Sequence, residues 1–292
     1  MTLTRRRFLT ITAGFACAPG LAQANTWQGR AFGSDVAITL RGPRQDTEIA
    51  LNKARAQIVE VERLFSLYDP GSALSRLNRR GVLRNPDPRF FALMQAADQA
   101  FDLTDGLFDP TVQPLWRAFA SGEGIPAARD AVGWKRVRFN RDEITLDAGQ
   151  ALTFNGIAQG FATDLVTELL RDQGLQKVLV NIGEYRATGG PWRVGLNDPT
   201  LGHLGTRTLT DAAIATSSPG VMSLGRADHI LHPIAAPQWS TVSVEAQTAT
   251  LADSLSTALT LAKTDQIKEI QKSQTDLGRV TLVSKSGDVS TL

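Results

Sequence analysis

The sequence predicts an α+β fold, from its length, its composition and the order of its segments. The chain has 292 residues, of which 42% are hydrophobic and 21% charged, so it can bury a large core and is neither disordered nor collagen-like. Segments with strand and helix patterns follow one another without the strict alternation of a parallel β-α-β sheet, which favours the α+β class. No internal repeat or low-complexity run divides the chain.

The spacing of apolar residues assigns the elements in chain order. An apolar run at 36–40 predicts a strand, and apolar residues every three or four positions over 49–65 predict a helix. Turn residues cluster at 105–110, and residues 140–142 are typical of a hairpin turn. The predicted strands are 36–40, 134–139, 144–147, 177–182, 192–196, 212–216, 241–246 and 279–284. The predicted helices are 49–65, 87–104, 155–171 and 249–262.

The first 24 residues have the pattern of an export signal. A basic cluster and a short apolar stretch precede Ala22-Gln23-Ala24, which has the A-x-A form of a cleavage site. The segment TRRRFL at 4–9 resembles a twin-arginine signal, which a transport receptor reads, although an ordinary secretory signal with extra arginines is the alternative. We therefore expect a domain of residues 25–292 in a bacterial periplasm. No later segment has the roughly 20 consecutive apolar residues of a membrane span, so stable membrane insertion is not expected.

Charge and residue counts restrict the partners and the metals. Lys and Arg total 31 against 29 Asp and Glu, far from the basic excess of a nucleic-acid-binding protein, so no nucleic-acid partner is expected. The single cysteine, Cys17, lies in the predicted signal and excludes both an internal disulfide and a cysteine-based zinc site. A cation held by oxygen atoms remains open.

Asp253 and Thr257 are the first candidate cation ligands. They are four residues apart in a predicted helix, so their oxygen atoms project from one face. A carboxylate and a hydroxyl in this arrangement can hold a hard cation such as Mg²⁺. The alternative is an aspartate placed near a helix N-terminus for its favourable interaction with the helix dipole.

Small residues mark the start of the helix predicted at 155–171. Gly156, Ala158 and Gly160 allow a close approach there, either of an anion to free N–H groups or of a neighbouring helix. The segment has neither the lysine of a P-loop nor the G-x-G-x-x-G pattern, so neither standard nucleotide motif applies.

Two histidines and one tyrosine are further candidates. His229 and His232 alternate along an extended segment and should face opposite ways, so they are not expected to share a metal. Each could transfer protons near neutral pH or be a hydrogen-bonded structural residue. Tyr68 could pack in a turn or stack on a planar ligand.

A series of short motifs, in order along nearly the whole domain, resembles the ApbE family of FAD:protein FMN transferases. These motifs are FGS at 32–34, FSLY at 65–68, SALSRLN at 72–78, TDGLFDPTV at 104–112, GIAQG at 156–160, VNIG at 180–183, ATS at 215–217, HI at 229–230 and ADSLSTA at 252–258. The resemblance implies a single two-lobed domain of mixed sheets and packed helices with a flavin cleft.

The resemblance also implies the roles of particular residues. Mg²⁺ would be held by Asp253, Thr257 and a backbone carbonyl near Ala158, with Asp253 and His229 in the catalytic machinery. His229 would transfer a proton or stabilise a phosphate. The residues implied to lie near the flavin nucleotide of FAD are Phe32, Tyr68, Leu107, Phe108, Asp109, Gln159 and Ile230.

The activity implied is transfer of FMN from FAD to a threonine of an exported or membrane-bound acceptor flavoprotein, with release of AMP. An FAD pyrophosphatase and a non-catalytic periplasmic flavin carrier are the alternatives. The chain departs from the family pattern at Glu184, Tyr185, His232 and residues 234–236. Glu184, where a glycine is expected, would disfavour phosphate unless a metal or Arg186 compensates its charge. These departures resemble the NosX-type subfamily of nitrous-oxide reductase maturation, whose membrane flavoprotein would then be the acceptor.

Overall fold

A computed structural model of the chain describes residues 24–292. The predicted export signal and Cys17 lie outside the described residues, except for Ala24, which is the first residue of the first strand. The strands are β1 (Ala24–Ala31), β2 (Ser34–Arg41), β3 (Val82–Arg84), β4 (Arg138–Phe139), β5 (Glu143–Thr145), β6 (Val178–Ile182), β7 (Tyr185–Thr188), β8 (Trp192–Asp198), β9 (Gly202–Leu209), β10 (Ala213–Ser217), β11 (Ser223–Leu224), β12 (Ala227–Asp228), β13 (Trp239–Ala246), β14 (Leu277–Ser284) and β15 (Val289–Thr291). The helices are α1 (Arg44–Phe65), α2 (Ala73–Arg80), α3 (Pro88–Leu103), α4 (Gln113–Ser121), α5 (Ile125–Ala131), α6 (Ala158–Asp172), α7 (Ala249–Leu259) and α8 (Thr264–Ser273).

The central sheet has eight strands in the order β1-β2-β6-β7-β10-β13-β14-β15. Every neighbouring pair in it is antiparallel, and α1 to α6 are inserted between β2 and β6. An antiparallel sheet with helices gathered on one face is the α+β class, so the fold prediction is confirmed.

Helices cover one face of this sheet in two apolar clusters. In the first cluster β2 and β6 pack against α1, α3 and α6, where Phe65 and Phe90 have ring centroids 5.2 Å apart. In the second, β10, β13 and β14 pack against α7 and α8. The opposite face is covered by the β8–β9 hairpin through Trp192, Val194 and Leu209. A single sheet therefore carries both helical clusters.

Two glycines allow α6 and the turn before it to pack directly against α7. A Cβ atom on Gly160 would lie 2.2 Å from the carbonyl oxygen of Ala249 and 2.7 Å from Cβ of Asp253. A Cβ atom on Gly156 would lie 2.7 Å from Oγ1 of Thr257. The structure thus shows close helix packing at both glycines, one of the two interpretations that the sequence allowed.

Asp164 of α6 joins the same two helices by a cap. Its Oδ1 accepts a hydrogen bond from the backbone N–H of Ala249 at 2.8 Å, and its Oδ2 accepts one from the N–H of Thr250 at 2.8 Å. The guanidinium of Arg186 donates to Oδ1 at 2.6 Å. The buried carboxylate thus satisfies free N–H groups at the start of α7, which fixes the helix that carries the candidate cation ligands.

Several element boundaries differ from the predictions; for example, α1 begins at Arg44 instead of Ile49 and α7 ends at Leu259 instead of Ala262. Residues 134–136 form a 3-10 turn in place of the start of a strand, because Trp134 N–H is bound by the carboxylate of Asp109. The helix predicted from residue 155 begins at Ala158, after a turn at 155–157.

Within residues 24–292, none of the helices combines the length and the apolar character that crossing a membrane requires.

Candidate functional site

The site is built around the carboxylate of Asp253, where α7 touches α6. The residue is 3% exposed, and its Oδ2 accepts a hydrogen bond from the backbone N–H of Gly160 at 2.9 Å. Burial raises the pKa of Asp253 to about 7, and the charge of Asp164 raises it as well, while the hydrogen bond from Gly160 opposes the shift. A buried carboxylate in this state gains from a nearby cation.

Thr257 lies one helical turn beyond Asp253. Its Oγ1 is 3.3 Å from Oγ of Ser217, the last residue of β10, and the Ser217 hydroxyl is also 2.8 Å from Oγ of Ser256. Ala158, the first residue of α6, stands between Gly156, which touches Thr257, and Gly160, which binds Asp253. The three predicted cation ligands therefore lie around one helix contact.

The donor chemistry at this contact fits a hard cation. The available groups are a carboxylate, a hydroxyl and backbone carbonyls, the oxygen ligands that Mg²⁺ prefers. Among residues 24–292 no group of three or more His, Cys, Asp and Glu side chains could hold a metal. A cation at this place would therefore depend on hydroxyl and carbonyl oxygens as well as carboxylates.

Glu184 brings a second carboxylate to the same region. It follows Gly183, whose φ of +89° allows the tight turn between β6 and β7. Its Oε2 accepts a hydrogen bond from the N–H of Thr216 at 3.1 Å. Burial raises the pKa of Glu184 well above its usual range, and the charge of Asp253 raises it further.

Arg186 does not compensate the charge of Glu184, as the sequence had suggested it could. Its guanidinium lies 2.6 Å from Oδ1 of Asp164 and 3.4 Å from Oε1 of Glu168, both on α6. The reason is the cap on α7, where Asp164 needs a partner in a largely buried position.

Three of the residues implied to contact flavin lie near the first hairpin and the end of α1. Phe32 has a φ of +51° in the two-residue turn between β1 and β2, and its N–H donates to Oε1 of Glu62 at 3.0 Å. Gln159 donates from Nε2 to Oγ of Ser34 at 2.8 Å. The side chain of Tyr68 is 83% exposed, so the ring is not packed in a turn and is free to stack on a ligand.

Residues 107–109 contribute two core side chains and the cap of a turn. Phe108 is 5% exposed and belongs to the first helical cluster, and Leu107 packs against both clusters. Asp109 caps the 3-10 turn Pro110–Val112: its Oδ1 accepts from the N–H of Thr111 at 2.7 Å, and its Oδ2 from the N–H of Trp134 at 3.3 Å. The Phe108 ring and both Asp109 oxygens are therefore used within the protein.

His229 is held in a defined tautomer. Its Nδ1 lies 2.8 Å from the carbonyl oxygen of Pro219, and since a carbonyl only accepts, Nδ1 carries the proton and Nε2 keeps its lone pair. Burial lowers the pKa of His229 below its usual value, while the Pro219 carbonyl opposes this. Ile230 beside it is 8% exposed. His229 is therefore a neutral acceptor of protons at neutral pH.

In His232, by contrast, Nδ1 is the acceptor and carries no proton. Its Nδ1 accepts hydrogen bonds from the N–H groups of Ile234 at 3.3 Å and Ala235 at 3.0 Å. Burial lowers its pKa too, and the Asp109 carboxylate and the Gly106 carbonyl oppose the shift. The two histidines thus have separate hydrogen-bond partners.

Sequence reasoning missed several residues that hold this site together. Asp164 was missed because a single aspartate inside a helix gives no signal of the helix end that it caps. Ser217 could have been found, because it closes the ATS motif directly after a predicted strand. Glu62, which holds the Phe32 turn, lies within a run of charged residues on α1 and had no distinguishing pattern.

The sequence is similar to known proteins over most of its length. A sequence model of the ApbE family matches residues 32–280. An FAD:protein FMN transferase of Haemophilus influenzae is 26% identical over 276 residues, covering 81% of this chain and 78% of that protein. A relative of the same name from Klebsiella pneumoniae is 31% identical over 144 residues, and there the match covers 44% of this chain and 45% of the relative.

Among solved structures, the apo form of the Pseudomonas stutzeri flavinyl transferase ApbE is similar with a TM-score of 0.80. The identity is 24%, and the match covers 94% of this chain and 96% of the other, so the likeness is one of fold. The family match begins at the turn after β1 and includes β2, the α6–α7 contact and the histidine segment. The chain belongs to the ApbE family.

Proposed function

We propose that this chain is an FAD:protein FMN transferase that requires Mg²⁺ and attaches the FMN part of FAD to a threonine of an acceptor protein. The observation that carries the proposal is the buried Asp253 carboxylate beside Thr257 at the α6–α7 contact, an all-oxygen setting suited to a cation that binds phosphate. The names of the Haemophilus and Klebsiella relatives support it.

The reaction exchanges one phosphorus–oxygen bond for another. The threonine oxygen of the acceptor forms a bond to the FMN-side phosphorus, the anhydride bond to the AMP-side phosphate breaks, and AMP leaves with the bonding electrons. Asp253, Thr257 and a carbonyl near Ala158 would hold Mg²⁺, which when bound polarises the phosphate oxygens and neutralises the charge of the leaving group.

The protein's own groups would position the reactants and take the proton. Nε2 of His229 accepts the threonine proton, because the hydrogen bond from Nδ1 to Pro219 leaves that nitrogen unprotonated. The exposed ring of Tyr68 stacks on the flavin, and the Gln159 amide, already held against Ser34, lies beside it.

The place of action and the acceptor belong to the same proposal. Export through the twin-arginine route to the periplasm is supported by the TRRRFL segment and the A-x-A site. An exported or membrane-anchored acceptor follows from that location, and the departures at Glu184 and His232 favour the membrane flavoprotein of a nitrous-oxide reductase system.

The test is incubation of the protein with FAD, Mg²⁺ and that acceptor, followed by mass spectrometry. We expect the acceptor to gain the mass of FMN at one threonine with an equal amount of AMP, and an acceptor with that threonine replaced by alanine to gain nothing. Release of free FMN without acceptor would indicate the pyrophosphatase instead. Binding of FAD with no AMP under any metal condition would indicate the carrier.

Replacing His229 with glutamine should slow transfer by about 10²- to 10⁴-fold, the usual contribution of a general base. FAD affinity should stay close to that of the wild type, because the proposed role is in proton transfer. The matched control is His203→Gln, since His203 is exposed on the β8–β9 hairpin, where its Nδ1 lies 3.4 Å from Oδ1 of Asn197. Equal loss in both variants, or an unchanged rate in His229→Gln, would remove His229 from the reaction.

A further inference from the structure

Glu184 lies in the turn between β6 and β7, at the end of the hairpin that borders α6. In this hairpin Asn181 pairs with Tyr185 and Val180 with Arg186, and Glu184 comes directly before Tyr185, the first residue of β7. Val180 is part of the cluster formed with α6. A Cβ atom on Gly183, the residue before Glu184, would lie 2.6 Å from the side chain of Gln159 on α6, so the turn itself lies against that helix.

Two hydrogen bonds define the position of Glu184 between α6 and β10. The Glu184 carbonyl accepts a hydrogen bond from Oγ1 of Thr163 on α6 at 3.2 Å, and its Oε2 accepts one from the N–H of Thr216 at 3.1 Å. The next residue, Ser217, reaches Oγ1 of Thr257 at 3.3 Å. Glu184 thus bridges α6 and β10 immediately beside the residues that surround Asp253.

Among residues 24–292, no cationic side chain balances the charge of this carboxylate. Glu184 is 9% exposed, and neither Glu184 nor Asp253 forms an ion pair with a described residue. Arg186, two residues along the chain, is paired with Asp164 at 2.6 Å. Two neighbouring buried carboxylates are costly unless a cation is shared between them.

We propose that Glu184 is a further ligand of the divalent cation at Asp253 and Thr257, so that two carboxylates bind the cation before FAD arrives. The placement of the cation rests on the proposed function, whereas the part played by Glu184 rests on the contacts above. Charge count tunes the affinity of oxygen sites for divalent cations. A site with two carboxylates balances the charge of the cation without help from the pyrophosphate.

The test measures binding of Mn²⁺ by electron paramagnetic resonance, with the purified chain free of nucleotide and no FAD added. Glu184→Gln should weaken Mn²⁺ binding about tenfold or more. The same variant should melt at a higher temperature than the wild type without metal at pH 8, because one of two adjacent carboxylates is gone. Glu184→Gly should show the same loss of Mn²⁺ affinity. Agreement between the two variants would show that the loss comes from removal of the carboxylate and is not specific to glutamine.

The matched control is Glu168→Gln, on the outer side of α6, which should leave Mn²⁺ affinity unchanged. If Asp253→Asn abolishes Mn²⁺ binding while both Glu184 variants bind normally, Glu184 is not a ligand and the cation site stands. If Asp253→Asn also binds normally, the cation site itself is wrong. A lower melting temperature for metal-free Glu184→Gln with unchanged Mn²⁺ affinity would give Glu184 a purely structural role and overturn the proposal.

Discussion

Replacing Asp253 with asparagine is expected to reduce FMN transfer by about three orders of magnitude or more. The amide keeps the shape of the side chain and can still accept from the N–H of Gly160, but it removes the negative charge that would hold Mg²⁺. Metal stabilisation of charge in the transition state contributes several kcal/mol, and each 1.4 kcal/mol changes the rate about tenfold. Acceptor labelling with FAD over time measures the loss. Transfer at more than about a tenth of the wild-type rate would contradict the assignment.

The same substitution should stabilise the protein when no metal is present. The pKa of Asp253 is about 7 in the folded protein against an ordinary value of 3.8, so the folded state binds the proton more tightly than the unfolded state. The free energy of unfolding of the metal-free wild type should therefore fall as the pH rises from about 4 to 7, by a few kcal/mol. Added Mg²⁺ should restore it at pH 8.

Melting temperatures of both proteins between pH 5 and pH 8 check this expectation. The decline with pH should be smaller in Asp253→Asn, with a part remaining because Glu184 has a raised pKa of its own. A lower melting temperature for Asp253→Asn at pH 8 would mean that the charge is satisfied within the protein.

Replacing Asp164 with alanine should lower the free energy of unfolding by about 3–5 kcal/mol. The change leaves Arg186 largely buried without its closest partner and removes the acceptor of two N–H groups at the start of α7. Urea denaturation followed by circular dichroism measures the loss. Transfer activity should fall as well, because α7 carries Asp253 and Thr257.

Two further variants make that measurement specific. Asp164→Asn keeps one acceptor for the cap and loses the ion pair, so its stability should fall between those of wild type and Asp164→Ala. Asp46→Ala, in the exposed first turn of α1, should change stability by less than about 0.5 kcal/mol. A loss below about 1 kcal/mol in Asp164→Ala would show that the cap and ion pair contribute little.

Local patterns predicted the elements that have strong signals of their own. The helix expected at 87–104 is found at Pro88–Leu103, because Asp87 caps it and proline favours its first position. The four-residue spacing of Asp253 and Thr257 correctly placed both on one side of α7. In contrast, α8 was missed, because only Ile267 and Ile270 are buried on an otherwise polar helix.

Contacts between distant segments were beyond the reach of sequence patterns. Arg186 is two residues from Glu184 and was a natural partner for it, yet its ion pair is with Asp164, 22 residues earlier. Asp109 accepts a hydrogen bond from the N–H of Trp134, 25 residues later, a contact that its own motif does not indicate. In each case the partner is a buried donor or acceptor that only the folded chain brings near.

The direct contact at Gly160 divides the site into a fixed half and an adjustable half. Because Gly160 has no side chain, the backbone at the start of α6 lies directly against Ala249 and Asp253, and no rotamer change at residue 160 can alter that spacing. In the proposed reaction, the pyrophosphate would meet a frame that is already fixed before it binds. A protein acceptor would then be accommodated by less constrained parts of the chain, such as the exposed Tyr68 and the short β11–β12 hairpin before His229. Such a division would let one phosphate-binding frame serve acceptors of different shape.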